Sequence, residues 1–156
     1  MQEIRALTGL RGIAAMAIVF YHFRPSDIEP ERLRIVFDHG YLMVDLFLVL
    51  SGFILTMTYG TVFSGRFDLE AYRIFLSRRI ARIYPLYAIM TTIAAGLVAL
   101  GWMDRWPGPE VPVTLAINYL MIQNWLMVPS LDTPGWSIGA EWSAYLAFPL
   151  FVAIAY

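Results

Sequence analysis

Tyr41-Leu42-Met43-Val44-Asp45-Leu46-Phe47-Leu48-Val49-Leu50-Ser51-Gly52-Phe53-Ile54-Leu55-Thr56-Met57-Thr58-Tyr59 carries one charge, Asp45, in an otherwise apolar stretch opened by His39-Gly40. A helix needs roughly 17–25 such residues to cross the hydrocarbon core of a bilayer. This run has that length, so lipid is the solvent it implies. Working outward, four further apolar runs flank it: about Leu7–Phe23, Leu86–Trp102, Val113–Val128 and Trp136–Tyr156. The spacing predicts an all-α protein, a polytopic bundle with about five transmembrane helices in this chain. Arg24-Pro25-Ser26-Asp27 stops the first helix, and Pro85 suits the first turn of the third, where a missing N–H costs nothing. Between them, Leu69, Tyr72, Phe75, Leu76 and Ile80 recur at helical spacing, which predicts a separate amphipathic helix at the membrane surface. The Pro-rich stretch 104–112 reads as a stiff connector.

Composition agrees. Of 156 residues, 59% are hydrophobic and 15% charged, more apolar than a usual soluble domain. All the basic residues are Arg, and the net charge of −1 gives no pull toward nucleic acid. The absence of Cys excludes disulfides and thiol nucleophiles within the chain, and with two His it argues against a metal site. Arg5 before the run Ile13–Phe20 resembles a secretory signal, but Arg11 interrupts it and no cleavage pattern follows. The N-terminus and the 60–84 loop hold seven Arg against four in the 24–39 and 103–112 loops, so the positive-inside rule puts the 60–84 loop in the cytoplasm.

Ionisable groups inside apolar helices mark candidate chemistry, because each costs on the order of 2.5–3.5 kcal/mol to insert. Arg11 and His22 are eleven residues apart, on one helical face and about 16 Å apart. Asp45 falls at a similar depth to His22 and could orient or charge the imidazole; it could equally be an acid at a helix N-terminus. Arg78, Arg79 and Arg82 form a cluster suited to several phosphates, or to anionic lipid. Trp136, Ser137 and Glu141 open the last helix, where a substrate contact competes with interfacial anchoring and dipole compensation. Gly9, Gly12, Ser51 and Gly52 suggest close helix packing.

Together these residues resemble membrane acyltransferase family 3. The resemblance rests on Arg11, ten residues and His22; on Gly40-Tyr41-Leu42-Met43-Val44-Asp45-Leu46-Phe47 through Ser51-Gly52-Phe53; on Arg79-Ile80-Ala81-Arg82-Ile83-Tyr84-Pro85; and on Trp136-Ser137-Ile138-Gly139-Ala140-Glu141. Met43 and Ile138 replace residues that are often Gly and Leu in the family. The resemblance implies a multi-pass bacterial inner-membrane enzyme of about ten helices, of which residues 1–156 would be the N-terminal portion. It implies transfer of an acyl group, acetyl foremost, from acetyl-CoA or another acyl-CoA to a hydroxyl of a cell-surface or exported carbohydrate. His22, Asp45 and Arg11 would then be catalytic, Arg79, Arg82 and Arg78 would bind the donor, and Trp136, Ser137 and Glu141 would bind substrate. The expected partners are membrane lipid, acyl-CoA and a carbohydrate acceptor, with no metal and no nucleic acid. The competing class is a membrane transporter of lipid or an anion, whose path would use the same buried charges.

Overall fold

A computed structural model describes residues 5–23, 39–65, 67–103 and 110–155. Among the described residues are five helices: α1 Arg5–His22, α2 Leu42–Phe63, α3 Leu69–Ala99, α4 Val111–Tyr119 and α5 Gly135–Ala155. No strand occurs among the described residues. The chain forms two compact units, Met1–Thr61 and Val62–Tyr156. The expectations placed on the 24–38 connector, Arg66 and residues 104–109 lie outside the described residues.

Five crossings overstate what forms. Among the described residues three helices, α2, α3 and α5, are long and apolar enough to cross a membrane. The first apolar helix, Ala6–His22, is shorter. Helix α4 has nine residues, a rise of about 14 Å against a hydrocarbon core of about 30 Å. Its apolar run reads as longer because Met121, Ile122, Trp125 and Leu126 continue it in composition. The backbone, however, turns at Met121, which takes the left-handed φ of 57°. Met121 N–H donates to Asn118 O and Ile122 N–H to Ile117 O, the bond pair of a Schellman cap with methionine where glycine is usual. Helix α3 ends with the same pair of bonds around Gly101, at φ 73°.

The amphipathic segment and the third span are one element. Helix α3 runs 31 residues straight through Pro85, so Pro85 is not its first turn. Asp68 caps the helix, its carboxylate accepting from Glu70 N–H at 2.8 Å, and this local start leaves Pro85 in the interior. A membrane helix tolerates an interior proline when other groups meet the backbone that it frees.

In the larger unit α3 packs on α4 and α5. Phe75, fully buried, stacks on Phe148 at 5.6 Å and meets Phe63 and Tyr145 edge-on. Tyr72 OH donates to Leu146 O at 3.0 Å and ties α3 to α5, while Tyr87 OH donates to Asn118 O at 2.9 Å and ties α3 to α4. In the smaller unit the Arg11 guanidinium lies 4.9 Å over the Phe47 ring. Among the described residues, a Cβ at Gly9, Gly12 or Gly52 would meet nothing within 4 Å.

The turn before α5 places Asp132 against Gly135. Gly135 N–H donates to Asp132 O at 2.9 Å, and a Cβ on Gly135 would collide with the carboxylate, so glycine makes room for it. Burial strips water from this carboxylate, and the carboxyl titrates above its ordinary range, opposed by a backbone hydrogen bond. A raised value means that the folded state binds the proton more tightly than the unfolded chain. The contribution therefore favours the fold in acid and is lost as pH rises through the window above the ordinary carboxylate value. Asp132→Asn removes the buried charge; it should melt higher than the parent at neutral pH, the difference shrinking toward about pH 4. Thermal unfolding in detergent at both pH values checks this, and a pH-independent difference would contradict it.

Candidate functional site

The nine candidate residues divide between the units: Arg11, His22 and Asp45 in the smaller, the other six in the larger. Helix α1 is continuous from Arg5 to His22, so the helical register that separates Arg11 from His22 by about 16 Å holds. His22 sits in the last turn, half-buried, with its ring edge-on to Tyr21 at 5.1 Å. Its Nδ1 lies 2.9 Å from Ile18 O. A carbonyl only accepts, so Nδ1 carries the proton, and in a neutral ring Nε2 then holds the lone pair. Asp45 lies in the first turn of α2, exposed. Among the described residues no hydrogen bond or ion pair joins it to His22; the Ile18 carbonyl orients the imidazole. An acid in a first turn also complements the helix dipole.

Helix α3 carries Arg73, Arg78, Arg79 and Arg82 with Glu70 as its one acid. Arg78 and Arg82 are exposed, and four-residue spacing puts them on one face. Arg79 turns inward. Its guanidinium lies 5.8 Å over the Phe75 ring and 5.9 Å over the Tyr145 ring, a cation–π arrangement that holds charge where water is scarce. Tyr145 OH donates to Glu141 Oε1, and Glu141 is buried. Tyr145 thus brings together a donor-side candidate, Arg79, and a substrate-side candidate, Glu141. Sequence reading passed over Tyr145, although its spacing of four from Glu141 puts both on one face of α5.

At the start of α5, Trp136 is exposed, and Ser137 Oγ donates to Pro134 O at 2.9 Å. Behind this turn lies a polar group that the sequence reading also missed. Gln123, fully buried, donates from Nε2 to Tyr87 OH at 3.2 Å and to Gly135 O at 3.1 Å. Asn124 Nδ2 donates to Trp136 O at 2.7 Å. Asn118, fully buried, donates to Thr114 O and accepts from Leu131 N–H. The available signal was three amides within seven residues of an apolar run, a cost that membrane segments bear only when the groups are bonded. Among the described residues no group of three His, Cys, Asp or Glu could hold a metal ion.

This geometry can be set beside known proteins. An acyltransferase domain model matches residues 4–155. The acyltransferase MdmB of Streptomyces mycarofaciens is 33% identical over 96% of this chain and 39% of its own length. Protein 2 in the picA locus of Rhizobium radiobacter is 37% identical over 86% of this chain and 75% of its own. The peptidoglycan O-acetyltransferase OatA of Listeria monocytogenes is 23% identical over 97% of this chain and 24% of its own. The chain thus spans about two fifths of MdmB and a quarter of OatA. No solved structure matches it. A family match over nearly every residue, including both Arg11–His22 and Trp136–Glu141, places the chain in the acyltransferase domain family.

Proposed function

We propose that this chain carries part of the active centre of a membrane O-acyltransferase that moves an acyl group, acetyl foremost, from acyl-CoA to a carbohydrate hydroxyl outside the cytoplasm. The observation that carries the reading is the His22 imidazole, whose Nδ1–H is committed to Ile18 O so that Nε2 is the basic nitrogen. A general base needs one oriented lone pair, and a carbonyl behind the other nitrogen supplies the orientation.

His22 Nε2 takes the proton of the acceptor hydroxyl as its oxygen bonds to the thioester carbonyl carbon. The tetrahedral oxyanion collapses, the C–S bond breaks, and the imidazolium returns the proton to the departing thiolate. The products are an ester and a free thiol. Arg11, about 16 Å along the same helix, stabilises negative charge on an extended substrate, and Asp45 places a carboxylate in the first turn of α2. Arg78 and Arg82, exposed on one face of α3, fit the donor's phosphates, since guanidinium forks bind them bidentately. Arg79, over the Tyr145 ring, extends that positive field inward. Trp136, Ser137 and the buried Glu141 contact the acceptor, a carboxylate and a hydroxyl suiting sugar hydroxyls. The basic end of α3 faces the cytoplasm of an inner membrane, where acyl-CoA is made.

In membranes carrying the protein, transfer of radiolabel from acetyl-CoA to envelope glycan should fall by about 10²-fold or more in His22→Ala at matched expression. Equal labelling would remove His22 as the base and favour a transporter. Arg82→Ala should raise KM for acetyl-CoA about tenfold with kcat little changed, since a hydrogen bond to a charged group contributes about 1.5–3 kcal/mol. An unchanged KM would remove Arg82 from the donor site.

A further inference from the structure

The strongest group outside the residues assigned above is the amide pair behind the first turn of α5. We propose that Gln123 and Asn124 are positioning residues, which pin the first turn of α5 and so aim Ser137 and Glu141. This rests on the reading of that face as the acceptor site.

The two amides bind consecutive first-turn carbonyls, Gly135 O at 3.1 Å and Trp136 O at 2.7 Å. Each carbonyl has a second lone pair beyond the one used inside the helix. Two bonds from outside, one residue apart and therefore about 100° apart around the axis, fix how the helix start is rotated. Ser137 and Glu141 are four residues apart on one face, so that rotation directs both. Gly139 makes the approach possible: a Cβ there would lie 3.0 Å from Gln123 Nε2 and 3.3 Å from Asn124 Nδ2. Tyr87 OH, which donates to Asn118 O and accepts from Gln123, ties the pair back to α3.

Stability alone does not account for Gln123. Its Oε1 is buried without a hydrogen bond, and such an orphaned acceptor costs about 1–3 kcal/mol. An apolar side chain of similar length would escape that cost. The N–H donors are what the position keeps, and their targets are Gly135 O at the α5 start and the hydroxyls of Tyr87 and Ser130.

Gln123→Met preserves length and volume while removing both donors and the orphaned oxygen. Asn124→Asp, at an exposed position, removes the donor to Trp136 O. Residues 1–156 contain no cysteine, so in a parent with any cysteine elsewhere replaced, Ser137→Cys gives one reporter thiol at the pinned turn, and Ser77→Cys on α3 provides a control. With either amide substitution, maleimide labelling of the thiol at 137 should accelerate about threefold or more while that at 77 is unchanged. Gln123→Met without a reporter should melt no lower than the parent, yet lose about tenfold in kcat at constant KM for acetyl-CoA. Unchanged labelling at 137 in both variants would overturn the proposal, as would equal acceleration at 137 and 77, which signifies general loosening. If Gln123→Met does not insert, Asn124→Asp decides. Selective labelling in a protein that transfers no acetyl even as parent would uphold the positioning and sink the acyltransfer reading.

Discussion

Lipid offers backbone groups no hydrogen bonds, so every amide and carbonyl that leaves a helix inside the bundle must be met by the protein itself. In the larger unit, α4 stops at Tyr119 and fifteen residues pass before α5 begins at Gly135. The solution is a set of amide and phenol side chains. Asn118 receives the Leu131 N–H, Tyr87 meets Asn118 O, and Gln123 and Asn124 meet Gly135 O and Trp136 O. Buried side-chain amides of this kind cost free energy when half-satisfied and confer a unique arrangement when met.

The direction of α5 follows from that segment, and the acidic chemistry of the larger unit follows from α5. Glu141 is one turn beyond Ser137, and Tyr145, one turn further, bonds its carboxylate. The Tyr145 ring also lies beneath Arg79 and against Phe75. Aromatic packing therefore does two jobs in this unit. It holds α3 to α5 by shape, and it places a guanidinium over a ring whose hydroxyl bonds a carboxylate. In the smaller unit the same economy appears on one helix, where the Ile18 carbonyl commits Nδ1 of His22 and defines which nitrogen is basic.

Much of this was legible in the sequence. The uninterrupted runs of α2 and α5 dictate spanning helices, and the register of Arg11 and His22 needs nothing beyond 3.6 residues per turn. The motif set carried the family. Other features were not legible, for definite reasons. Pro85 is as compatible with a first helical turn as with the interior of a packed membrane helix, and Asp68, seventeen residues upstream, decided the matter. The end of α4 lacked its usual signal because Met121, not glycine, adopts the left-handed conformation. Composition averaged over 113–128 hid three amides whose bonding partners lie on α3, α4, α5 and the connector before α5. The expected link between His22 and Asp45 was inferred from depth alone, and depth does not specify rotation about a helix axis.

The central claim is that the non-helical segment between α4 and α5 is held as firmly as the helices it joins, because its polar groups are bonded within the protein. Hydrogen exchange on the protein in lipid nanodiscs measures this directly. The account predicts that the amides of Met121, Ile122, Val128 and Leu131, all donors to identified acceptors, exchange as slowly as those inside α5 beyond its first turn. Exchange at the rate of an open loop, with α5 still protected, would contradict it.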